Sequence, residues 1–201
     1  LQIRTITVGQ LYTNCYILED EGEGVIIDPG AEASRILREV AGLKVKAIIA
    51  THGHFDHVGA VKEIKGSLRI PFLLHRADLQ TLERSTGWFG QPAKKPTVDI
   101  FLGDEFRVGG LRLKVIHTPG HTPGSVSILV DDEALFSGDT LFRGAVGRYD
   151  FPGGSLEDLR NSIRRLMKLP EYIKVYPGHG EPTTIGMEME DNPFVVEFMQ
   201  E

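Results

Sequence analysis

Three histidines and an aspartate fall within six positions, 52–57, of the stretch Thr51-His52-Gly53-His54-Phe55-Asp56-His57-Val58-Gly59. Imidazole and carboxylate together are donors for zinc, iron or manganese rather than for calcium or magnesium. Residues two apart on extended backbone point the same way, so His52 and His54 can reach one ion together. Asp56 and His57 follow the point where the chain turns and face elsewhere, which suits a second ion beside the first. The chain has seven histidines in all, too few for this density to read as an ordinary polar turn. Two histidines do not complete a coordination sphere. Three later stretches offer the remainder: His121 in His117-Thr118-Pro119-Gly120-His121-Thr122-Pro123-Gly124, Asp139 in Ser137-Gly138-Asp139-Thr140, and His179 in Pro177-Gly178-His179-Gly180. Each lies among glycine and proline at the end of a β-like run.

The elements that must carry these donors are short. Ala47-Ile48-Ile49-Ala50 reads as a buried strand, and Asp56-His57-Val58 opens a helix expected to run through Ile64. The cluster thus sits where a strand's carboxyl end meets a helix amino end, a usual place for a site in an α/β sheet. Ile3 to Val8, Tyr12 to Leu18 and Gly24 to Asp28 read as antiparallel strands, followed by a helix with Ala33, Ile36, Leu37 and Val40 on one face. Asp28 either faces the metal loop or shapes a turn through its own backbone. Pro71 to Leu74 is a strand and Arg76 to Arg84 a helix, with His75 at their junction expected to be structural or to support a ligand from behind rather than bind metal, and His117 expected to be structural. Ser85 to Thr97, with Trp88 among its glycines and prolines, is either a flap over the substrate or a packed surface loop. Strands resume from Phe101 to His117 around Gly109-Gly110, and from Ser125 to Phe136 as a hairpin. Ser155 caps a helix whose buried stripe is Leu159, Ile163, Leu166 and Met167. Ile173 to Tyr176 is the last clear strand, and a final helix starts at Asp191-Asn192-Pro193. Strands and a helix, twice over, suggest two β-layers with helices outside.

The donor set resembles the signature of the metallo-β-lactamase superfamily, His-x-His-x-Asp-His followed by a distant His, Asp and His in that order. The resemblance covers nearly the whole chain. Within it, Ser137-Gly138-Asp139-Thr140-Leu141-Phe142 and Gly147-Arg148-Tyr149-Asp150-Phe151-Pro152-Gly153-Gly154 look most like the glyoxalase II (hydroxyacylglutathione hydrolase) branch in its short bacterial form. The resemblance implies an α/β (α+β) fold, a four-layer αββα sandwich forming one hydrolase domain over residues 1–201, with metals at one edge between the sheets. It implies that His52, His54 and His121 hold one divalent ion, that Asp56, His57 and His179 hold a second, and that Asp139 bridges the two. Zinc is the expected metal; iron and manganese accept the same donors.

Two such ions about 3.5 Å apart share a hydroxide whose pKa is near neutral, a nucleophile at pH 7. Asp56 doubles as the group that orients it, so Asp56 and Asp139 are the expected catalytic residues. A thiol's pKa of about 8.5 lets the thiolate leave with little acid assistance. A thioester such as S-lactoylglutathione therefore suits a site without an obvious protein acid. Arg148 matches a basic residue that the branch turns toward glutathione, and its guanidinium can clamp a carboxylate at two points; a plain surface arginine is the alternative. The longer enzymes of the branch add a C-terminal helical region with further basic contacts, so the thiol carrier here is glutathione or another thiol. Aspartate at 139 argues against a true β-lactamase, whose common forms use a cysteine there; the sole cysteine is Cys15. Two rivals share the fold: a persulfide dioxygenase with a single iron on His52, His121 and Asp139, and a lactonase-type ester hydrolase.

Composition narrows the partners. The net charge is −6, with lysine and arginine scattered rather than tracked along a groove, so nucleic acid is not an expected partner. No apolar run is long enough to span a membrane. The start lacks a secretory pattern and Cys15 has no second cysteine to pair with, which together point to a reducing, cytoplasmic setting. A small-molecule anionic substrate fits the acidic chain because bound divalent cations would make the site locally positive. Cys15 itself reads as a buried small hydrophobe.

Overall fold

The computed structural model describes residues 1–85, 88 and 95–200. Of the segment expected as flap or packed loop, positions 86, 87 and 89–94 lie outside the described residues.

The first sheet has the order β1-β2-β3-β4-β5-β6. Its strands are β1 (Gln2–Val8), β2 (Thr13–Asp20), β3 (Glu23–Ile27), β4 (Lys44–Ile49), β5 (Phe72–Leu74) and β6 (Ile100–Phe101). The first three pair antiparallel, and β3 to β6 run parallel. The second sheet collects β7 (Glu105–Val108), β8 (Leu111–His117), β9 (Val126–Val130), β10 (Ala134–Gly138), β13 (Lys174–Pro177) and β14 (Thr183–Thr184) in the order β14-β13-β10-β9-β8-β7. A small separate ribbon, β11 (Leu141–Phe142) with β12 (Ala145–Val146), hangs beyond β10.

Side-chain alternation builds the layers. In β2, Tyr16 and Leu18 point between the sheets, where they meet Ile128, Val130 and Phe136 of the second sheet. Cys15 and Ile17 point to the other face, against α1 (Ala33–Glu39) and α3 (Val61–Leu68) through Ile36, Val40 and Ile64. A one-residue slip of β2 would exchange these two sets, so its register is strongly specified. On the outer face of the second sheet, Leu129, Leu135 and Val175 pack on α5 (Leu156–Leu166), α6 (Ile185–Asp191) and α7 (Pro193–Met199). Three apolar interfaces separate four layers, helix, sheet, sheet, helix, as the αββα expectation requires. Each large side chain buried this way contributes about 1.5–3 kcal/mol. Burial also pushes the Cys15 thiol well above its ordinary pKa, so it serves as packing.

Several elements differ from expectation for local reasons. The helix expected from Asp56 through Ile64 is two, α2 (Phe55–Val58) and α3, because the Ala60 N–H donates to Pro29 O at 3.0 Å and bends the chain away. The helix expected from Arg76 begins as a 3-10 turn over Arg76–Asp78 before α4 (Leu79–Ser85). Tyr12 is not a strand residue: it takes φ 53° in the turn that precedes β2. The β11–β12 ribbon, β14 and α6 have no counterpart in the sequence reading. The stripe of α5 and its Ser155 cap are as expected, the hydroxyl accepting from Asp158 N. Asn192 caps α7 with Pro193 in its first turn.

Candidate metal centre

The donors converge where the carboxyl ends of β4 and β10 and the loops after β8 and β13 meet. His52, His54 and His121 form one group and Asp56, His57, Asp139 and His179 another; within each, one ligand-type atom per residue lies within 4.8 Å of the rest. Asp139 stands between them. Its Oδ2 lies 3.8 Å from His52 Nε2, 3.4 Å from His121 Nε2 and 3.4 Å from His179 Nε2, while its Oδ1 lies 3.2 Å from His57 Nε2. Asp56 Oδ2 is 3.3 Å from His57 Nε2 and 3.2 Å from His179 Nε2. All seven sequence-predicted donors are thus in one cluster.

The far side of the imidazoles is held, which sets what each presents to the centre. His57 Nδ1 faces Asp28 Oδ2 at 2.9 Å. His121 Nδ1 faces Arg148 O at 2.8 Å, and His179 Nδ1 faces Leu11 O at 3.1 Å. Each pairing makes Nδ1 the donor and turns Nε2 inward. Asp28 answers both alternatives raised by its sequence: it takes φ 55°, and its carboxylate accepts from Thr51 N and Thr51 Oγ1, both at 2.7 Å, as well as from His57.

Sequence reasoning missed Asp78. This fully buried carboxylate accepts from Gly53 N at 2.5 Å and from Gly124 N at 2.8 Å, so it fastens the His52–His54 loop to the His121 loop. At Gly124 a Cβ would stand 2.5 Å from Asp78 N, so only glycine permits that approach. Gly178 is as constrained, since its Cβ would fall 2.3 Å from Asp139 Oδ1. Thr13 was also unsuspected; its hydroxyl donates to Asp56 Oδ2 at 3.2 Å. His75 and His117 stay outside the cluster. The His75 ring accepts from Ala77 N to cap the 3-10 turn and stacks on His117, with centroids 4.3 Å apart.

Nε2 of His52, His54 and His57 and Oδ1 of Asp139 are buried without a hydrogen bond. Such atoms cost about 1–3 kcal/mol each unless something else satisfies them. His52 Nε2 and His57 Nε2 face Asp139, and His54 turns Nδ1 to His121 Nε2 at 3.0 Å, so nitrogen and oxygen donors converge in a set that fits divalent cations. Electrostatics divides the two groups. Burial, reinforced by neighbouring imidazoles, pushes His52 well below its ordinary pKa and His54 down to about 3. Burial would lower His57 and His179 too, but the carboxylates of Asp139 and Asp56 outweigh it. They raise His57 well above its ordinary value and His179 to about 10. Against burial, His57 and His179 hold Asp56 and Asp139 well below the carboxylate range.

A cavity of about 1120 Å³ opens over the cluster, with His54, Asp56, His121, Asp139 and His179 in its lining. Trp88 borders it, its ring 5.4 Å from His54 and 5.3 Å from Phe151. Arg148 reaches the same rim exposed, its guanidinium 4.0 Å over the Phe151 ring and paired with Asp150 at 2.7 and 2.8 Å. Among the described residues, no helix is long and apolar enough to cross a membrane.

Comparisons with known proteins agree with this geometry. The family model described as "Metallo-beta-lactamase superfamily" matches residues 8–179. The chain is 36% identical to a hydroxyacylglutathione hydrolase, GloC, of Haemophilus influenzae, over 97% of this chain and 98% of that protein. It is 38% identical to a probable metallo-hydrolase, YqgX, of Bacillus subtilis, over 96% of each. Among solved structures, it is similar to the BLEG-1 B3 metallo-beta-lactamase (TM-score 0.90, 38% identity, 96% of this chain and 99% of that one). It is also similar to TTHA1623 in a di-iron-bound form (TM-score 0.86, 40% identity, 95% and 99%).

Proposed function

This chain belongs to the metallo-beta-lactamase superfamily, and we propose that within it the protein is a two-metal hydrolase of thioesters, S-lactoylglutathione among them. The observation that carries the reading is Asp139, whose two oxygens face the two donor groups at once. The likeness to GloC supports the choice of a hydroxyacylglutathione as substrate.

In this reading His52, His54 and His121 would hold one ion and Asp56, His57 and His179 the other, with Asp139 serving both. Zinc, iron and manganese all suit the donors, and the likeness to a di-iron protein keeps iron beside zinc. Divalent ions bound there supply a Lewis acid for the thioester carbonyl and water acidified to near neutrality. The chain's residues do the rest. Asp56, its Oδ2 fixed by Thr13 and beside His179, accepts a hydrogen bond from the attacking water and orients it. Water adds to the carbonyl carbon, the C–S bond breaks, and thiolate and carboxylic acid separate, the proton passing to solvent. Arg148 engages a substrate carboxylate at the cavity rim by exchanging Asp150 for it. Asp28 and the carbonyls of Leu11 and Arg148 keep the imidazoles aimed throughout.

The test is loss of the S-lactoylglutathione thioester with metal-replete protein, beside nitrocefin, a lactone and a glutathione persulfide with oxygen uptake. Fast, chelator-sensitive thioester loss supports the reading. Turnover of one of the others alone replaces it, and the BLEG-1 likeness makes the β-lactam the necessary control.

A further inference from the structure

The cavity must take both the acyl group and its carrier, and its lining differs in character from one end to the other. Its volume, about 1120 Å³, is at the upper end of pockets that enclose drug-sized ligands. Its two sides differ. Arg148, Trp88 and Phe151 border the His54 side, where a carrier bearing a carboxylate finds a cation. The wall from residues 8–11, 30–33 and 58–60 instead presents the exposed Leu11 and the half-buried Ala31, backed by the buried Val8, Ala33, Val58 and Ala60. The ionisable lining groups nearest this wall, Glu32 and Glu63, are acidic, and Arg148 is the only lysine or arginine among the described lining residues. An anionic chain would be repelled there, and a peptide would leave water for the apolar side chains of Leu11 and Ala31.

The wall is built into the fold. Gly9 N donates to Glu32 Oε2 at 2.8 Å and Arg35 Nη1 to Thr7 O at 2.9 Å, lacing the 8–11 turn to the start of α1. The same turn supplies Leu11 O to His179, so wall and reacting centre are one unit. We propose that this wall takes an unbranched apolar acyl chain, so that the preferred substrates are medium-chain acyl thioesters; the assignment rests on the thioester reading above. The carrier thiol then points toward Arg148.

The experiment is kcat/KM of the metal-loaded protein for N-acetylcysteamine thioesters from acetyl to decanoyl, with S-lactoylglutathione alongside. The expected result is a rise of up to about fourfold for each methylene buried, ending where the wall ends. A flat or falling series beside brisk acetyl or lactoyl turnover overturns the chain site and leaves thioester hydrolysis standing. Binding read by calorimetry separates the two further. S-(2-oxododecyl)-N-acetylcysteamine, whose ketone cannot release the thiol, should bind saturably, and about tenfold more weakly to Leu11→Glu, an exposed position that tolerates charge in folding. Binding without any thioester turnover keeps the site and discards the hydrolysis; no saturable binding, or equal binding by the variant, discards the site.

Discussion

The floor of the cavity and its wall are held in different ways. On the floor, donor after donor is fixed by a second partner: His57 by Asp28, His121 by Arg148 O, His179 by Leu11 O, Asp56 by Thr13. Above the floor the lining is held by packing, and Arg148, the one lysine or arginine among the described lining residues, is solvent-exposed and already paired. Groups that must meet a metal within tenths of an ångström need orientation from behind; groups that select a substrate need only shape and charge. Reaction class is therefore a property of the floor, and substrate choice a property of the wall. Substitutions should separate along that line, in kcat below and in KM above.

The largest effect is expected at Asp139. Alanine there removes the carboxylate that faces both groups and should lower kcat on the order of a thousandfold, through several kcal/mol of lost charge stabilisation. Metal content per chain, measured in parallel, should fall as well. Turnover within a few-fold of the parent in metal-loaded protein would sink the two-ion reading. One step behind is Asp28→Asn, which places an amide where two donors, Thr51 Oγ1 and His57 Nδ1, need an acceptor. Metal affinity or activity should drop about 10- to 100-fold, with KM for the thioester little changed. A loss confined to KM would break the distinction between floor and wall.

Much of the floor was legible in the sequence because its first half is contiguous: four donors within six residues, directly after a buried strand. His121, Asp139 and His179 were legible because glycine and proline mark each as a strand-end loop. Asp78 was not. In sequence it is one acid of Arg76-Ala77-Asp78-Leu79, indistinguishable from a solvated helix residue, and only the approach of the Gly53 and Gly124 loops gives it its role. Glu188 hid in the same way. It is buried in α6 and accepts from Gly144 N, and so ties the β11–β12 ribbon to that helix. The two-residue strands carry no periodicity to read. The layers, by contrast, followed from alternation in β2 to β4 and the stripe of α5, where tertiary packing agrees with the local pattern.

A smaller effect should appear in the metal-free protein as pH dependence of stability. His179, held up to about 10 by the carboxylates, stabilises the fold fully below its ordinary 6.5, and that contribution is lost as pH rises through 10. His54, pushed down to about 3 by burial, acts oppositely: it costs nothing above 6.5 and destabilises as pH falls toward 3. The thermal midpoint of the chelated protein should therefore be highest near pH 6.5 and decline on both sides. Metal replaces the proton on His179, so loading should flatten the alkaline limb while the acid limb, where protons compete for the donors, steepens. An alkaline limb identical with and without metal would mean that His179 is not a ligand.

The smallest effect is expected from the cation at the cavity rim, and its sign is the informative part. Arg148 spends its guanidinium on Asp150 and on the face of Phe151. To clamp a substrate carboxylate it must exchange one exposed partner for another, and such exposed pairs differ little in strength. Arg148→Gln should thus raise KM for S-lactoylglutathione only about threefold and leave kcat alone. Asp150→Asn should do the reverse, lowering KM by a similar factor, because it releases the guanidinium without removing it. For N-acetylcysteamine thioesters, which carry no carboxylate, neither change should register. If both substitutions instead raise KM for charged and uncharged substrates alike, the Arg148–Asp150 pair shapes the rim of the cavity and reads no charge.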